Sequence, residues 1–223
     1  YGKTEAWIVV ATAGSDASVG VGFRDDVSAE TLADWVRDQD GRAMLDALNS
    51  FTVRAGDAIF VPAGVPHVIG EGLLIVEVQE PSDLSVLLEW RGFGTEDADE
   101  ATLGLGWEAA LGCVELEGRG PPHLGGARGN VDGTVTSLLP ATADRFFRAD
   151  RIAPSPAATL ERGFAILVVV EGSGSLHCGN GDPIQLRRGD AVLVPWVAGE
   201  CQLEGELVAI ACRPPAPDER GAP

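Results

Sequence analysis

The feature that most constrains the fold is an internal repeat. Residues Arg54–Pro62 read RAGDAIFVP, and residues Arg187–Pro195 read RRGDAVLVP, 133 positions later. Upstream of each copy, Ala6–Val10 (AWIVV) resembles Ala165–Val169 (AILVV) at an offset of 159 positions. The offsets differ by 26 residues (159 − 133), close to the length of a helical segment in the first half. Paired similarities of this kind predict two copies of one β unit, the first carrying a helical insertion.

The hydrophobic pattern agrees with a β architecture. Short runs rich in valine, isoleucine and leucine recur between glycine, aspartate and proline residues, which is typical of a sandwich or barrel. The exception follows a capping residue at Ser28, where Leu32, Trp35 and Val36 have helical spacing. We therefore predict an all-β fold of two barrels with a small helical insertion at about 29–49.

The same pattern suggests domain boundaries. We predict a first barrel at 1–105, a linker rich in glycine and proline at 106–145, a second barrel at 146–213 and a tail at 214–223. The first residue is Tyr1 and no leader precedes it, so we expect the N-terminal strand of the first barrel to be missing from this sequence.

The net charge excludes some classes of binding partner. Sixteen lysine and arginine residues against 34 aspartate and glutamate residues give a net charge of −18. A field of this sign repels phosphate backbones and anionic lipid headgroups, so neither nucleic acid nor membrane is expected as a partner. The longest apolar run, 165–170, is far shorter than the roughly 20 residues of a membrane-spanning helix. The sequence does not specify the oligomeric state.

The cysteines indicate a compartment. Cys113, Cys178, Cys201 and Cys212 form no CxxC pair and no dense framework. This pattern favours free thiols in a reducing compartment, and we expect a cytoplasmic protein.

One histidine stands in a motif. The first repeat continues as G-x5-P-x-G-x2-H through Gly56, Pro62, Gly64 and His67. A strand that enters a tight turn at Pro62 and Gly64 places His67 at the head of the next strand, facing the interior. The other two histidines, His123 and His177, have no partners at ligand spacing and are not expected to bind metal.

This motif is the second sequence motif of the cupin superfamily, and the chain resembles a bicupin, with two double-stranded β-helix (jelly-roll) barrels. Residues 2–7 (GKTEAW), 60–70 (FVPAGVPHVIG) and 77–83 (EVQEPSD) resemble the class I mannose-6-phosphate isomerases. The resemblance implies a Zn²⁺ site made from a Gln-x-His pair, a glutamate and a further histidine, beside a lysine and an arginine that handle a sugar phosphate. Carried over by position, Glu5 and His67 are metal ligands and Lys3 is the active-site lysine.

These residue types also suit the chemistry. Zinc takes histidine nitrogen and carboxylate oxygen, and a catalytic site keeps one position open. Because Glu5 and His67 supply only two ligands, we expect Gln-x-His just before Tyr1. Lys3 is the only lysine in the chain and lies two residues from Glu5, hence on the same face of a strand. A cation there suits a sugar phosphate or a developing enediolate.

Two positions depart from the resemblance. Leu87 stands where these isomerases usually have an arginine. Arg91 follows four residues later and on an unbulged strand would share that face, so we predict Arg91 as a second catalytic cation. In the second copy, Phe164 and Glu200 correspond to Glu5 and His67 by the two offsets, which predicts a barrel without metal.

Three functions are consistent with these residues. The first is a zinc-dependent isomerase that interconverts mannose 6-phosphate and fructose 6-phosphate through an enediol, with a small sugar phosphate as its partner. The alternative is a non-catalytic bicupin that binds a sugar or sugar phosphate, which Leu87 favours. The third is a metal-dependent oxygenase, since two histidines and a carboxylate can also hold iron. The helical insertion and Lys3 favour the isomerase over the oxygenase.

Overall fold

The protein forms two compact units, Tyr1–Leu124 and Gly125–Pro223. The structure, a computed structural model, describes residues 2–82, 84–92, 97–120, 124–125 and 134–216. Asp83 of the EVQEPSD motif, His123 and much of the predicted linker lie outside these residues. Within the described ranges, the helices are all too short to traverse a lipid bilayer.

The first unit combines strands with four helices in its described part. Its elements are β1 (Glu5–Thr12), β2 (Ser18–Phe23), α1 (Ala29–Asp38), α2 (Gly41–Ala47), β3 (Leu48–Thr52), β4 (Ala58–Val61), β5 (His67–Ile69), β6 (Leu73–Gln79), α3 (Ala98–Ala101), α4 (Trp107–Leu111) and β7 (Leu124–Gly125). The strands form one sheet in the order β6-β1-β4-β7 and another in the order β3-β2-β5. A buried cluster joins the two sheets: Trp7, Val9, Val19, Val21, Val53, Ile59, Val61 and Val65.

The helical insertion is confirmed, with a shorter C-terminal end. Helix α1 begins after Ser28, whose side chain accepts the Thr31 N–H, and ends where Gln39 adopts φ 53°. Asp40 caps α2 in the same way through the Ala43 N–H. Leu48 and the residue after it, predicted as helical, instead begin β3, because pairing with β2 satisfies their backbone.

The second unit is built from strands in its described part. They are β8 (Val135–Ser137), β9 (Arg148–Ile152), β10 (Ala157–Leu160), β11 (Ala165–Cys178), β12 (Ile184–Arg187), β13 (Ala191–Val194) and β14 (Cys201–Arg213). One sheet runs β12-β11-β14-β9-β8, with β10 also paired to β14 and β13 to β11. Alternating residues of β11, including Ala165, Leu167 and Val169, are buried in the core of this unit. Two short 3-10 helices, Ala141–Ala143 and Trp196–Ala198, lie between these strands. The all-β prediction is therefore confirmed, and among the described residues the α-helices lie in the first unit.

The internal repeat is visible in the hydrogen bonds. Gly56 N–H donates to the Val9 carbonyl at 2.9 Å, and Gly189 N–H donates to the Val169 carbonyl at the same distance. Both strands carry a register shift at the same place, after Val9 in β1 and after Val169 in β11. Strand β1 therefore corresponds to the first half of β11 at an offset of 160 residues (169 − 9).

This register corrects the predicted correspondences. Glu5 pairs with Val61 and Ala165 pairs with Val194, so the counterpart of Glu5 is Ala165 rather than Phe164. The sequence comparison aligned similar valines and missed the true offset by one residue.

The counterpart of His67 also changes. Trp7 pairs with Glu77 in the first unit, and Leu167 pairs with Ala211 in the second, which sets an offset of 134 residues (211 − 77). With that offset His67 corresponds to Cys201 rather than Glu200. The reason is one additional residue in the turn that precedes β14.

The expectation of free thiols is wrong for two cysteines. Cys178 and Cys201 are direct cross-strand partners on β11 and β14, with Cα atoms 4.4 Å apart, and they form a disulfide. A pair at this separation meets the geometric requirement of a disulfide without any CxxC motif. Cys113 and Cys212 are free.

Candidate metal centre

The first strand presents Lys3 and Glu5 together. Between them, Thr4 is held from the other side: its N–H donates to Glu80 Oε2 at 2.9 Å, and its carbonyl accepts the Glu80 N–H at 2.9 Å. The Ala63 N–H also donates to Thr4 Oγ1, at 3.4 Å. Because neighbouring side chains on an extended chain alternate, anchoring Thr4 directs Lys3 and Glu5 to the opposite face.

The turn before β5 positions His67. Gly64 has φ 86°, and a Cβ there would lie 2.7 Å from the Cys113 carbonyl oxygen, so only glycine fits. After this turn, His67 Nδ1 lies 2.8 Å from the Val65 carbonyl oxygen. A backbone carbonyl at this distance places a proton on Nδ1 and fixes the ring, leaving Nε2 for another partner.

The three side chains meet around Glu5, which is 2% exposed. Glu5 Oε1 lies 3.1 Å from His67 Nε2 and accepts the Trp7 Nε1–H at 3.1 Å. Glu5 Oε2 lies 3.1 Å from Lys3 Nζ, which is also 3.9 Å from Glu77 Oε1. The structure thus places Lys3, Glu5 and His67 in one cluster, with Glu77 and Trp7 at its edge.

The pKa values of the cluster depend on one another. Burial alone would raise the pKa of Glu5, but His67, followed by Lys3, outweighs burial and holds this pKa below its usual value. Burial alone would lower the pKa of His67, yet Glu5 and the Val65 carbonyl raise it above the usual value. Burial and then the charge of Glu5 raise the pKa of Glu77. Each partner of the Glu5–His67 pair therefore favours the charged form of the other.

The pair fits a metal ion in three respects. Two ligands on one tetrahedral zinc ion are about 3.3 Å apart, and His67 Nε2 and Glu5 Oε1 are separated by 3.1 Å. The Val65 carbonyl selects the tautomer in which Nε2 can coordinate. Glu5 Oε2 is buried and accepts no well-aligned hydrogen bond, although the Lys3 ammonium is near. Within the described ranges, however, no group of three histidine, cysteine or carboxylate side chains is arranged to hold a metal ion.

Arg91 lies in a segment without strand pairing, not on the strand that the sequence predicted. The strand assumed for Leu87 and Arg91 is absent, because residues 84–92 are not paired in a sheet. Instead Leu87 N–H donates to the Ala101 carbonyl, and Arg91 N–H donates to Gln39 Oε1. The exposed Arg91 guanidinium lies over the Trp90 ring, 5.2 Å from its centroid. The argument from a shared strand face is therefore wrong, and Arg91 stays a prediction.

Sequence reasoning missed Trp7 at the edge of the cluster and Glu80, which positions the cluster from the opposite face. Trp7 lies two residues after Glu5, so it shares the face of β1, and this spacing could have identified it. Glu80 anchors Thr4 through an oxygen acceptor three residues beyond Glu77. Its role depends on the register between β1 and β6, which the sequence does not specify.

Known proteins resemble the chain in sequence and in fold. Mannose-6-phosphate isomerase ManA of Bacillus subtilis is 26% identical over 206 residues, covering 92% of this chain and 62% of that protein. The crystal structure of the mannose 6-phosphate isomerase from Bacillus subtilis matches with a TM-score of 0.74 at 20% identity, covering 95% of this chain and 65% of that chain. A mannose 6-phosphate isomerase crystallised with zinc and yttrium matches with a TM-score of 0.67 at 14% identity, over 96% of this chain and 67% of that chain. No protein-family model matches.

The mostly β fold, in which buried Glu5 contacts His67, is the fold of the mannose 6-phosphate isomerase crystal structures that match it. In sequence, the chain is similar to mannose-6-phosphate isomerases, as its motifs predict. It spans less than two thirds of the length of the Bacillus subtilis relative.

Proposed function

We propose that the protein is a zinc-dependent aldose–ketose isomerase that interconverts mannose 6-phosphate and fructose 6-phosphate through an enediol. The observation that carries this proposal is the contact between buried Glu5 and His67, with Lys3 3.1 Å from the same carboxylate. The similarity to mannose-6-phosphate isomerases supports the choice of reaction. The zinc in a similar crystal structure supports the choice of metal.

Glu5 and His67 would hold the metal in this chain. A zinc ion held there would supply Lewis-acid chemistry for the sugar oxygens. His67 must release the Nε2 proton to bind metal, and Glu5, with its lowered pKa, is already a carboxylate. We propose that the remaining ligands are a Gln-x-His pair outside the described residues.

Lys3 is suited to contact the substrate. Its side chain is 21% exposed whereas that of Glu5 is 3% exposed, so the ammonium group lies between the buried carboxylate and the exterior. During isomerisation, negative charge develops on the sugar oxygens, and a fixed ammonium group stabilises this charge. Glu77, 3.9 Å from Lys3 Nζ, helps to fix the ammonium from the neighbouring strand.

Arg91 is our proposed second cation, for the phosphate group. It belongs to the chain segment that follows β6, the strand that carries Glu77. The guanidinium is exposed and held over Trp90, which leaves its N–H donors available for a bidentate contact with phosphate.

The domain architecture, the partner and the location of the protein are also proposals. We propose that each unit is a double-stranded β-helix, so that the chain is a bicupin with barrels at 1–105 and 146–213, a linker at 106–145 and a tail at 214–223. Its partner would be a small sugar phosphate rather than nucleic acid or membrane. We propose the cytoplasm as its location, on the ground of the similarity to the isomerases alone, since the Cys178–Cys201 disulfide removes the argument from free thiols.

A coupled assay with mannose 6-phosphate and Zn²⁺ tests the function. We expect turnover in the presence of Zn²⁺, loss of turnover in Lys3→Ala, and an increased KM in Arg91→Ala. Arg54→Ala is the matched control, because Arg54 is exposed and lies at the β3–β4 turn. Turnover that survives in Lys3→Ala would overturn the role of the cluster.

Leu87 favours one alternative, a non-catalytic protein that binds sugar phosphate, because it replaces the arginine of the isomerases. Calorimetric titration with mannose 6-phosphate separates the two. Binding without turnover would support the alternative, and absence of both would overturn both proposals.

A further inference from the structure

We propose that Trp7 is a positioning residue of the metal centre, whose indole N–H fixes the Glu5 carboxylate in the orientation that shares an ion with His67. This inference rests on the proposed function, since it concerns the same metal centre. Trp7 is buried in the core, and packing there would require only an apolar side chain, not an N–H donor.

The contacts come from both sides of the Trp7 ring system. Its Nε1–H donates to Glu5 Oε1 at 3.1 Å, and both residues are almost completely buried. The indole also packs against the His67 imidazole in a T-shaped arrangement, with ring centroids 5.3 Å apart and an interplanar angle of 64°. Trp7 therefore touches both proposed ligands at once.

The hydrogen bond restricts the carboxylate. A glutamate side chain otherwise rotates about its terminal torsion, which is broad and nearly two-fold. With Oε1 held by the indole, Oε2 is directed toward Lys3 Nζ at 3.1 Å. Outer groups of this kind orient metal ligands, and their removal typically costs 10–100-fold in metal affinity.

The second unit provides an internal comparison. There the counterpart of Trp7 is Leu167, which is fully buried in a core of similar construction. The counterpart of Glu5 is Ala165, so no carboxylate requires orientation. An indole N–H occurs where there is a carboxylate to hold, and an aliphatic side chain suffices where there is none.

A zinc titration separates positioning from packing. The affinity of the purified protein for Zn²⁺ is measured by competition with a chelating dye, and the Co²⁺ form is examined by its visible spectrum. The variants are Trp7→Phe, which keeps an aromatic ring without the N–H, and replacement of Trp7 by benzothienylalanine, in which sulfur replaces the N–H. Phe23→Leu is the control, because Phe23 is equally buried but packs with the helical insertion, away from Glu5.

We expect both Trp7 variants to lose about 10-fold or more in Zn²⁺ affinity and to change the Co²⁺ absorption bands. Phe23→Leu should lower the urea midpoint of the metal-free protein while leaving Zn²⁺ affinity within twofold. If the benzothienylalanine variant binds Zn²⁺ as tightly as the wild type with an unchanged Co²⁺ spectrum, the positioning role of Trp7 is wrong. If the wild type itself binds no Zn²⁺, the proposed metal centre fails first.

Discussion

The two units share a strand arrangement but carry different side chains at equivalent interior positions. In the first, strands β1, β5 and β6 meet at a charged cluster, in which Glu5 contacts His67 and Lys3 and lies close to Glu77. In the second, the counterparts of Glu5 and Glu77 are Ala165 and Ala211, both fully buried. The counterpart of His67 is Cys201, which is bonded to Cys178. The Glu5–His67 pair of one unit thus corresponds to an alanine and a disulfide-bonded cysteine in the other.

The shared backbone explains why this exchange is possible. Asp57 Oδ2 accepts the Arg54 N–H at 2.9 Å, and Asp190 Oδ2 accepts the Arg187 N–H at the same distance. Gly56 and Gly189 both adopt φ 93° beside these aspartates. Because the turn and the strand pairing are the same in both units, the backbone accommodates either charged or apolar side chains at the interior positions. The function is then a property of a few side chains rather than of the repeat.

The largest effect is expected at the proposed metal pair, Glu5 and His67. His67→Ala removes the imidazole, so Glu5 loses one of its three partners at 3.1 Å and a bound ion would lose a ligand. We expect Zn²⁺ affinity to fall by about 1,000-fold, because each of the few ligands of a zinc site is essential. Equilibrium dialysis with metal analysis measures this loss.

The matched control is in the second unit. Replacing both Cys178 and Cys201 by alanine alters the position that corresponds to His67, and it should leave Zn²⁺ affinity unchanged. A comparable loss of affinity in this double variant would contradict the assignment of the metal centre to the first unit.

The next effect is expected at the disulfide. Cys178 and Cys201 are separated by 23 residues. Closing a loop of this length stabilises the folded state by about 3 kcal/mol. Reduction with a phosphine should therefore lower the unfolding free energy of the second unit by about this amount. Hydrogen exchange at the amides of β11 and β14 measures it, and the Cys178→Ala/Cys201→Ala variant should not respond to reductant. Equal destabilisation of β1 and β6 would contradict a local effect.

Much of the arrangement was predictable from the sequence. The motif RxGDAxxVP identified the repeat, and the helical spacing of Leu32, Trp35 and Val36 identified the insertion. Lys3 and Glu5 were placed on one face by their spacing alone, because alternation is a local property of extended chain. His67 was identified by a turn in which Gly64 has no substitute.

What failed depends on register. Ala6–Val10 and Ala165–Val169 match by composition but are offset by one residue in the ladder, so both counterparts in the second unit were wrong. The disulfide depends on the same information, since Cys178 and Cys201 meet only through the pairing of β11 with β14. The segment that carries Arg91 is held by the Gln39 side chain, a contact 52 residues apart that periodicity cannot reveal.

A smaller contrast separates the two free thiols, one in each unit. Cys113 is exposed, whereas burial, with the charge of Asp150, raises the pKa of the Cys212 thiol to about 11. Since the thiolate is the reactive form, alkylation of Cys212 at pH 8 should be about 100-fold slower than that of Cys113. It should quicken about tenfold per pH unit up to pH 10, because the thiolate fraction rises with pH below the pKa. Mass spectrometry of iodoacetamide-labelled peptides measures both rates, and equal rates would contradict the burial of Cys212.

The smallest effects test whether the turns at Asp57 and Asp190 stabilise their units equally. Asp57→Ala and Asp190→Ala each remove a carboxylate that accepts a backbone N–H in the turn, and each should cost about 1 kcal/mol of unfolding free energy. Arg54→Ala and Arg187→Ala remove an ion pair to the same aspartates across 3.8 Å, but both arginine side chains are more than 80% exposed. Solvent screens such pairs, so we expect less than about 0.5 kcal/mol from either arginine variant. Hydrogen exchange in each unit measures the four values. Equal losses for Asp57→Ala and Asp190→Ala, and for the two arginine variants, would show that the two turns contribute equally to the stability of their units. A clear difference between Asp57→Ala and Asp190→Ala would mean that the charged cluster also stabilises the turn at Asp57.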